Sequence, residues 1–426
     1  MRSTRPLAAA AALAALLALP AAAAAATDAA VKRGLERLVA ARGGPPGAIA
    51  TLYRDGRLSV LRAGRADARR ERRPRATDHM RIASVAKAFS GAVALRLVRD
   101  GRLDLDDTIG ERLPGMPAEW AGVTVREMLN HTSGLPDYTR SAGFAEQARS
   151  NPRGFVTPDG IVDWVRGDPL QFVPGSRYEY SNTDNIVIGL IAEAVTGRSY
   201  RSLLRDGVFR RARLRETSFP TRRIALPRPF LRGYVPGDPP EDVTTFLSPS
   251  GAWASGAVVS TPADLNAFIR AYLRPRFFGP AQQREQMRFV DGGRSSPPGP
   301  GRNAAGLALF RYRTRCGTVY GHTGNFPGYV QFAAATADGR RAVTTTLNIP
   351  APTGRLLARL RRVQTTAVCA LGEHWPRGPG SLAGIRPEGE TRGRIGTRAR
   401  RPRMRAARRR GPTRARARPA AAGAAG

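Results

Sequence analysis

The chain has 426 residues, 42% of them apolar, enough to bury one large core or two closely joined ones, and it carries a formal net charge of +36. Two cysteines and four scattered histidines (His79, His131, His322, His374) leave no Cys/His cluster for zinc. About a third of the charge sits in the thirteen arginines between Arg392 and Arg418, and the rest is spread along the chain, which argues against a nucleic-acid-binding stripe.

The first 26 residues have the layout of a secretory signal. Arg2 and Arg5 precede an apolar run from Leu7 to Leu19, and the small residues Ala21 to Ala26 place cleavage before Thr27. A retained membrane anchor is the competing reading, which the alanine-rich end disfavours. A helical pattern follows from Ala29 to Ala41, closed by Gly43-Gly44. Ala48 to Tyr53 and Leu58 to Arg62 read as strands around an Asp55-Gly56 hairpin turn. Ser84 opens the next helix, whose apolar face (Ala88, Val93, Leu95, Val98) ends at Asp100-Gly101.

From Leu103 to Leu247 the chain is loop-rich, with short helical patterns at Val125 to Asn130 and Asn185 to Thr196. Gly299 to Gly306 reads as a Pro/Gly/Asn loop. Arg311, Arg313 and Arg315 alternate as on one face of a strand, with a solvated edge as the default. Thr318 to Tyr320, Val330 to Thr336 and Ala342 to Leu347 read as strands, the last two joined at Asp338-Gly339, and a helix from Gly354 to Leu371 closes the fold. The expected organisation is a signal (1–26), a folded region (27–375) with 103–247 mostly helical, and a basic tail (376–426) too poor in apolar residues to fold. Strands at both ends with a helical middle predict one antiparallel sheet flanked by helices with a helical insertion. In an exported chain Cys316 and Cys369 would close one disulfide, with two buried free thiols as the alternative. The polyanions then in reach of the arginine tail are wall polymers and membrane surfaces.

Among 69 basic residues only Lys32 and Lys87 are lysines. A chain this biased toward arginine keeps lysine where arginine cannot serve, and proton transfer is the clearest such task. Lys87 follows Ser84 by three residues, so on a helix both share a face and the amine can reach the hydroxyl. Alone, a Ser-x-x-Lys equally describes an ordinary serine near a solvent-facing lysine. Two more motifs follow in order: Tyr180-Ser181-Asn182, and His322-Thr323-Gly324 leading into Asn325-Phe326-Pro327-Gly328-Tyr329.

Together these motifs resemble the serine penicillin-recognising enzymes, the class C β-lactamase and D-Ala-D-Ala carboxypeptidase family. Thr124 to Tyr138, Trp253-Ala254-Ser255-Gly256 and Ser260 to Leu265 strengthen the resemblance, which runs from about Val31 to Ala370. It implies an α/β domain and an all-α domain with the site between them. It also implies that Ser84 is the nucleophile, with the oxyanion held by the amides of Ser84 and Asn325. Lys87 would be the base, or would hold a neighbouring phenolate by its charge, and Tyr180 would shuttle protons. Asn182 would bind Lys87 and the substrate amide, and Thr323, beside Gly324, would bind a terminal carboxylate.

Histidine at 322, where class C β-lactamases carry lysine, resembles the secreted DD-carboxypeptidase branch, as does the pairing of Cys316 with Cys369. His322 would then be a weak, pH-sensitive cation. The implied activity is a secreted D-Ala-D-Ala carboxypeptidase acting on peptidoglycan stem peptides without cofactor or metal and acylated by β-lactams. A β-lactamase, esterase or D-amino-acid amidase on the same site, or a non-catalytic wall- or membrane-binding protein, are the alternatives. Trp253 either lines the cleft or packs in the core, and the segment from His131 to Pro136 with Asp137 reads as a scaffolding turn.

Overall fold

The computed structural model describes residues 25–274 and 276–372, so the expected signal up to residue 24 and the basic tail lie outside the described residues. Helix α1 (residues 25–39) spans the expected cleavage point. Asp55 and Gly56 adopt positive φ (51° and 79°), the backbone a two-residue hairpin demands, and join β1 (Gly47–Arg54) to β2 (Arg57–Gly64). Helix α2 (Ala86–Arg99) follows, capped by Asp100 with Gly101 in the left-handed region. The middle of the chain supplies short helices and α3 (Thr183–Thr196), and α4 (Pro262–Tyr272) leads back to the sheet.

Five further strands complete the sheet: β3 (Arg302–Gly306), β4 (Leu309–Thr314), β5 (Gly317–Phe326), β6 (Tyr329–Ala335) and β7 (Ala342–Leu347). The order is β2-β1-β7-β6-β5-β4-β3, antiparallel throughout. The β1–β7 pairing joins the two ends of the chain in one sheet, as the sequence predicts. Two expectations change. Most of the Gly299–Gly306 loop is the edge strand β3, whose buried residues, Ala304, Ala305 and Gly306, are small. The arginine-bearing strand β4 therefore lies one position in from the edge. Its Arg311 is half-buried, its guanidinium 4.4 Å from the Phe289 ring centroid, while Arg313 is exposed.

One face of the sheet packs on α1 and α5 (Gly354–Cys369) through Val31, Leu35, Leu38, Leu360 and Val363. The other meets α4 and the helical region, where Phe89, Trp120, Ile186 and Phe268 centre a second core. A disulfide between Cys316 and Cys369 ties the turn before β5 to the end of α5. Among the described residues no helix is long and apolar enough to cross a membrane.

Candidate active site

Ser84 does not sit inside a regular helix but in a single 3₁₀ turn (Ala83–Val85) that delivers the chain into α2. Ala83 adopts φ 51°, uncommon for a residue with a Cβ, so the turn holds local strain. Its support is the sheet. Gln331 on β6 donates to the Arg81 carbonyl (3.1 Å), and Gly324 on β5 packs directly against the turn. A Cβ at 324 would stand 2.5 Å from the Ile82 carbonyl oxygen and 3.1 Å from the Ser84 nitrogen, so only glycine allows this approach.

Lys87 lies one helical turn on and is fully buried. Its Nζ reaches Ser84 Oγ (3.2 Å), Asn182 Oδ1 (2.7 Å) and the Ser255 carbonyl (3.0 Å). Burial lowers its pKa from 10.5 to about 7, while the carboxylates of Asp137 and Asp184 hold it up against that effect. The neutral amine has two N–H bonds, and Asn182 and Ser255 take both. Its lone pair then faces Ser84, which is what a general base requires.

Tyr180 packs its ring 5.1 Å from Lys87 Nζ and 4.4 Å from the His131 ring. Its hydroxyl is enclosed beside Ser84 without a hydrogen bond of ordinary geometry. Burial raises the phenol well above its usual pKa, an effect larger than the lowering from Ser84. Desolvation therefore opposes a resting phenolate beside Lys87 and favours the neutral phenol. Beneath it, His131 Nδ1 and Asp184 Oδ2 are 2.7 Å apart, and Ser133 Oγ donates to Asp184 Oδ1 (2.5 Å). Burial drives His131 down to about 3 and Asp184 up, so desolvation disfavours charge on both partners of this pair.

The third motif departs most from expectation. His322 is fully buried, 5.0 Å from Phe310 and 6.4 Å from Tyr180 between ring centroids. Burial foremost, opposed by the contact with the Thr323 carbonyl and aided by Lys87 and His131, brings its pKa down to about 3. It is therefore not the pH-sensitive cation expected, because a charge there would be desolvated among other basic groups. A carbonyl can only accept, so Nδ1, 2.5 Å from the Thr323 oxygen, carries the proton, and Nε2 is left as a buried acceptor with no partner.

Thr323 Oγ1 donates to the Pro297 carbonyl (2.7 Å), so the hydroxyl expected to hold a carboxylate is engaged elsewhere. Asn325 is exposed next to Gly324, with its side-chain oxygen accepting from the Ala351 amide (2.7 Å). Trp253 packs in the core against Tyr200 (5.1 Å between ring centroids) and over Gly189, 7% exposed, and does not line the cleft.

Two contributors escape sequence reasoning. Asp137 caps the following turn, as its scaffolding role predicts, by accepting from the Thr139 amide (3.1 Å). Both its oxygens also accept from Asn182 Nδ2 (3.1 Å each), which orients that side chain toward Lys87. The Ser255 carbonyl comes from the Trp253–Gly256 turn, where Trp253 takes φ 28°. The one sequence signal for these was the Trp253–Gly256 and Thr124–Tyr138 segments themselves.

The β-lactamase family model matches residues 28–367. A penicillin-binding protein of Bacillus subtilis is 28% identical over 289 residues, 64% of this chain, which spans 61% of that protein's length. A D-stereospecific amidohydrolase from a Streptomyces species is similar at 31% identity and a TM-score of 0.66, over 76% of this chain and 94% of that one. A D-amino acid amidase from Ochrobactrum anthropi, in a complex with L-phenylalanine amide, aligns with a TM-score of 0.72 at 28% identity, over 81% of this chain and 98% of its own.

Proposed function

Because the chain belongs to the β-lactamase family and is a serine hydrolase of the β-lactamase and penicillin-binding superfamily, we propose that it hydrolyses amide bonds of D-amino acid derivatives through an ester on Ser84. The neutral amine of Lys87 takes the Ser84 proton as Oγ attacks the carbonyl carbon. The amides of Ser84 and Asn325 hold the oxyanion at the tight seam between the nucleophile turn and β5. Tyr180 passes the proton to the departing nitrogen and then helps water to open the ester.

The observation that carries the choice of substrate is the contact of His322 Nδ1 with the Thr323 carbonyl, which leaves Nε2 buried without a partner. A neutral ring with an acceptor Nε2 repels a substrate carboxylate and suits an N–H donor, such as a primary amide, and Thr323 offers no free hydroxyl to offset that. The likeness to a D-amino acid amidase over nearly that enzyme's whole length agrees with this reading.

A second reading keeps the same chemistry and exports it: a secreted D-Ala-D-Ala carboxypeptidase on peptidoglycan stem peptides, with wall polymers held by the arginine tail. The motif order with His322 at its third site, and the likeness to the Bacillus subtilis penicillin-binding protein, favour it. Incubation with D-phenylalanine amide and, separately, a diacylated Lys-D-Ala-D-Ala separates the two. Ammonia released faster than D-Ala, both abolished by Ser84→Ala, supports the amidase reading, and the reverse order overturns it.

A further inference from the structure

Two adjoining cavities of about 460 and 370 Å³ lie where the Arg223–Thr245 segment meets the Asp67–Arg72 loop, and they share Arg228, Phe230 and Arg232. Neither is lined by Ser84, Lys87, Tyr180 or Asn182. Six guanidinium groups line them: Arg69, Arg70, Arg72, Arg223, Arg228 and Arg232. Three carboxylates answer. Asp78 takes Arg72 (2.7 Å), Asp242 takes Arg232, and Asp67 takes Arg232 (2.9 Å) with Arg70 further off at 3.8 Å. Those pairs build the walls, and Arg72 also donates to the Phe230 carbonyl (2.6 Å).

Arg69, Arg223 and Arg228 have no carboxylate partner among the described residues. Uncompensated like charges in a concave site focus a positive potential and destabilise the fold through repulsion, a cost that a bound anion removes. The volume exceeds what one small anion fills. Phe230 supplies an uncharged surface between the cations, with the guanidinium carbons of Arg228 and Arg232 5.9 and 5.5 Å from its ring.

We propose that these joined cavities bind a linear polyanion whose phosphate or carboxylate groups alternate with uncharged spacers, the anions on Arg69, Arg223 and Arg228 and a spacer over Phe230. Planar guanidinium forks pair bidentately with either oxyanion, so the chemistry is shared by polyol-phosphate and uronic-acid chains. The site is built by residues 67–72 and 223–245 and shares no lining residue with the acyl-transfer chemistry.

The test uses the full chain and three fluorescent or titrated probes: a glycerol-phosphate oligomer, an oligogalacturonate and inorganic phosphate. Binding is compared in Arg69→Ser/Arg223→Ser/Arg228→Ser and in a charge-matched control, Arg33→Ser/Arg37→Ser/Arg42→Ser, whose sites are exposed on or just after α1. The cavity variant should weaken at least one oligomer tenfold or more and lower the slope of log affinity against log salt by on the order of two, with the control changing affinity less than twofold. The oligomer that loses affinity identifies the source. Unchanged amide hydrolysis shows that the cavity variant is folded. Equal losses in both variants, or inorganic phosphate binding as tightly as the oligomers, would overturn the proposal.

Discussion

Both carboxylate oxygens of Asp137 lie 3.1 Å from the side-chain nitrogen of Asn182, and the oxygen of that same amide lies 2.7 Å from Lys87 Nζ. The carboxylate cannot donate, so it fixes which end of the asparagine faces the lysine. It also helps to keep the Lys87 pKa from falling further than burial alone would take it. Asp137→Asn should therefore lower kcat by about ten- to a hundredfold and move the acid limb of the pH profile down by about half to one unit. A purely structural role would lower activity without moving that limb.

Lys87 supplies the wild-type profile. The active form is the neutral amine, so kcat/KM should rise with pH through about 7, the pKa that burial gives it. Lys87→Arg keeps a cation but cannot cycle its proton and should lose at least a thousandfold. Labelling with a fluorescent penicillin should vanish in Ser84→Ala and be severely slowed in Lys87→Arg. Retention of most activity in Lys87→Arg would exclude the amine as base.

His322 sets an acid limit on the fold. Above pH 6.5 it is neutral in both states, and its contribution is fully present. As pH falls from 6.5 toward about 3, the unfolded chain takes a proton that the buried ring refuses. Stability then drops by about 1.4 kcal/mol per pH unit from this group alone. The His131–Asp184 pair adds little to that slope, because its two partners shift in opposite directions. Urea unfolding of His322→Asn at several pH values should show a shallower acid loss than the wild type.

The disulfide spans 53 residues. In the chain-entropy model a loop of that length restrains the unfolded state by about 4 kcal/mol, so Cys316→Ser/Cys369→Ser should unfold at distinctly lower denaturant with Ser84 chemistry unchanged at low temperature. Intact-mass analysis that found two free thiols in the purified protein would remove the basis for this expectation.

The elements legible in the sequence were those with strong local signals: the Asp55-Gly56 hairpin, the Asp100-Gly101 stop and the Val125–Asn130 helix, which matches residue for residue. Strand β3 was hidden because its buried residues are alanine and glycine, which carry little strand propensity and sit beside turn-like prolines. Of the site, the three motifs gave Ser84, Lys87, Tyr180, Asn182 and His322, which the fold brings together. Asp137 touches Asn182 across 45 residues, and the Ser255 carbonyl meets Lys87 across 168. No periodicity reports such contacts, and a backbone carbonyl leaves no trace in residue identity. The neutrality of His322 was likewise invisible, since it follows from burial beside Lys87 and His131.

The left-handed backbone at Ala83 has a consequence for anyone engineering the protein. Glycine adopts a positive φ without strain, so Ala83→Gly would look like a simple relief of the turn, although it also frees the unfolded chain and deletes a buried methyl. Yet the methyl of Ala83 stands 3.1 Å from where a Cβ on Gly324 would be, filling the seam that sets the serine against the strand. The glycine variant would empty part of that seam and give the Ser84 turn a hinge. Relieving the strain at this one position would thus exchange a serine held against the strand for one that wanders from it.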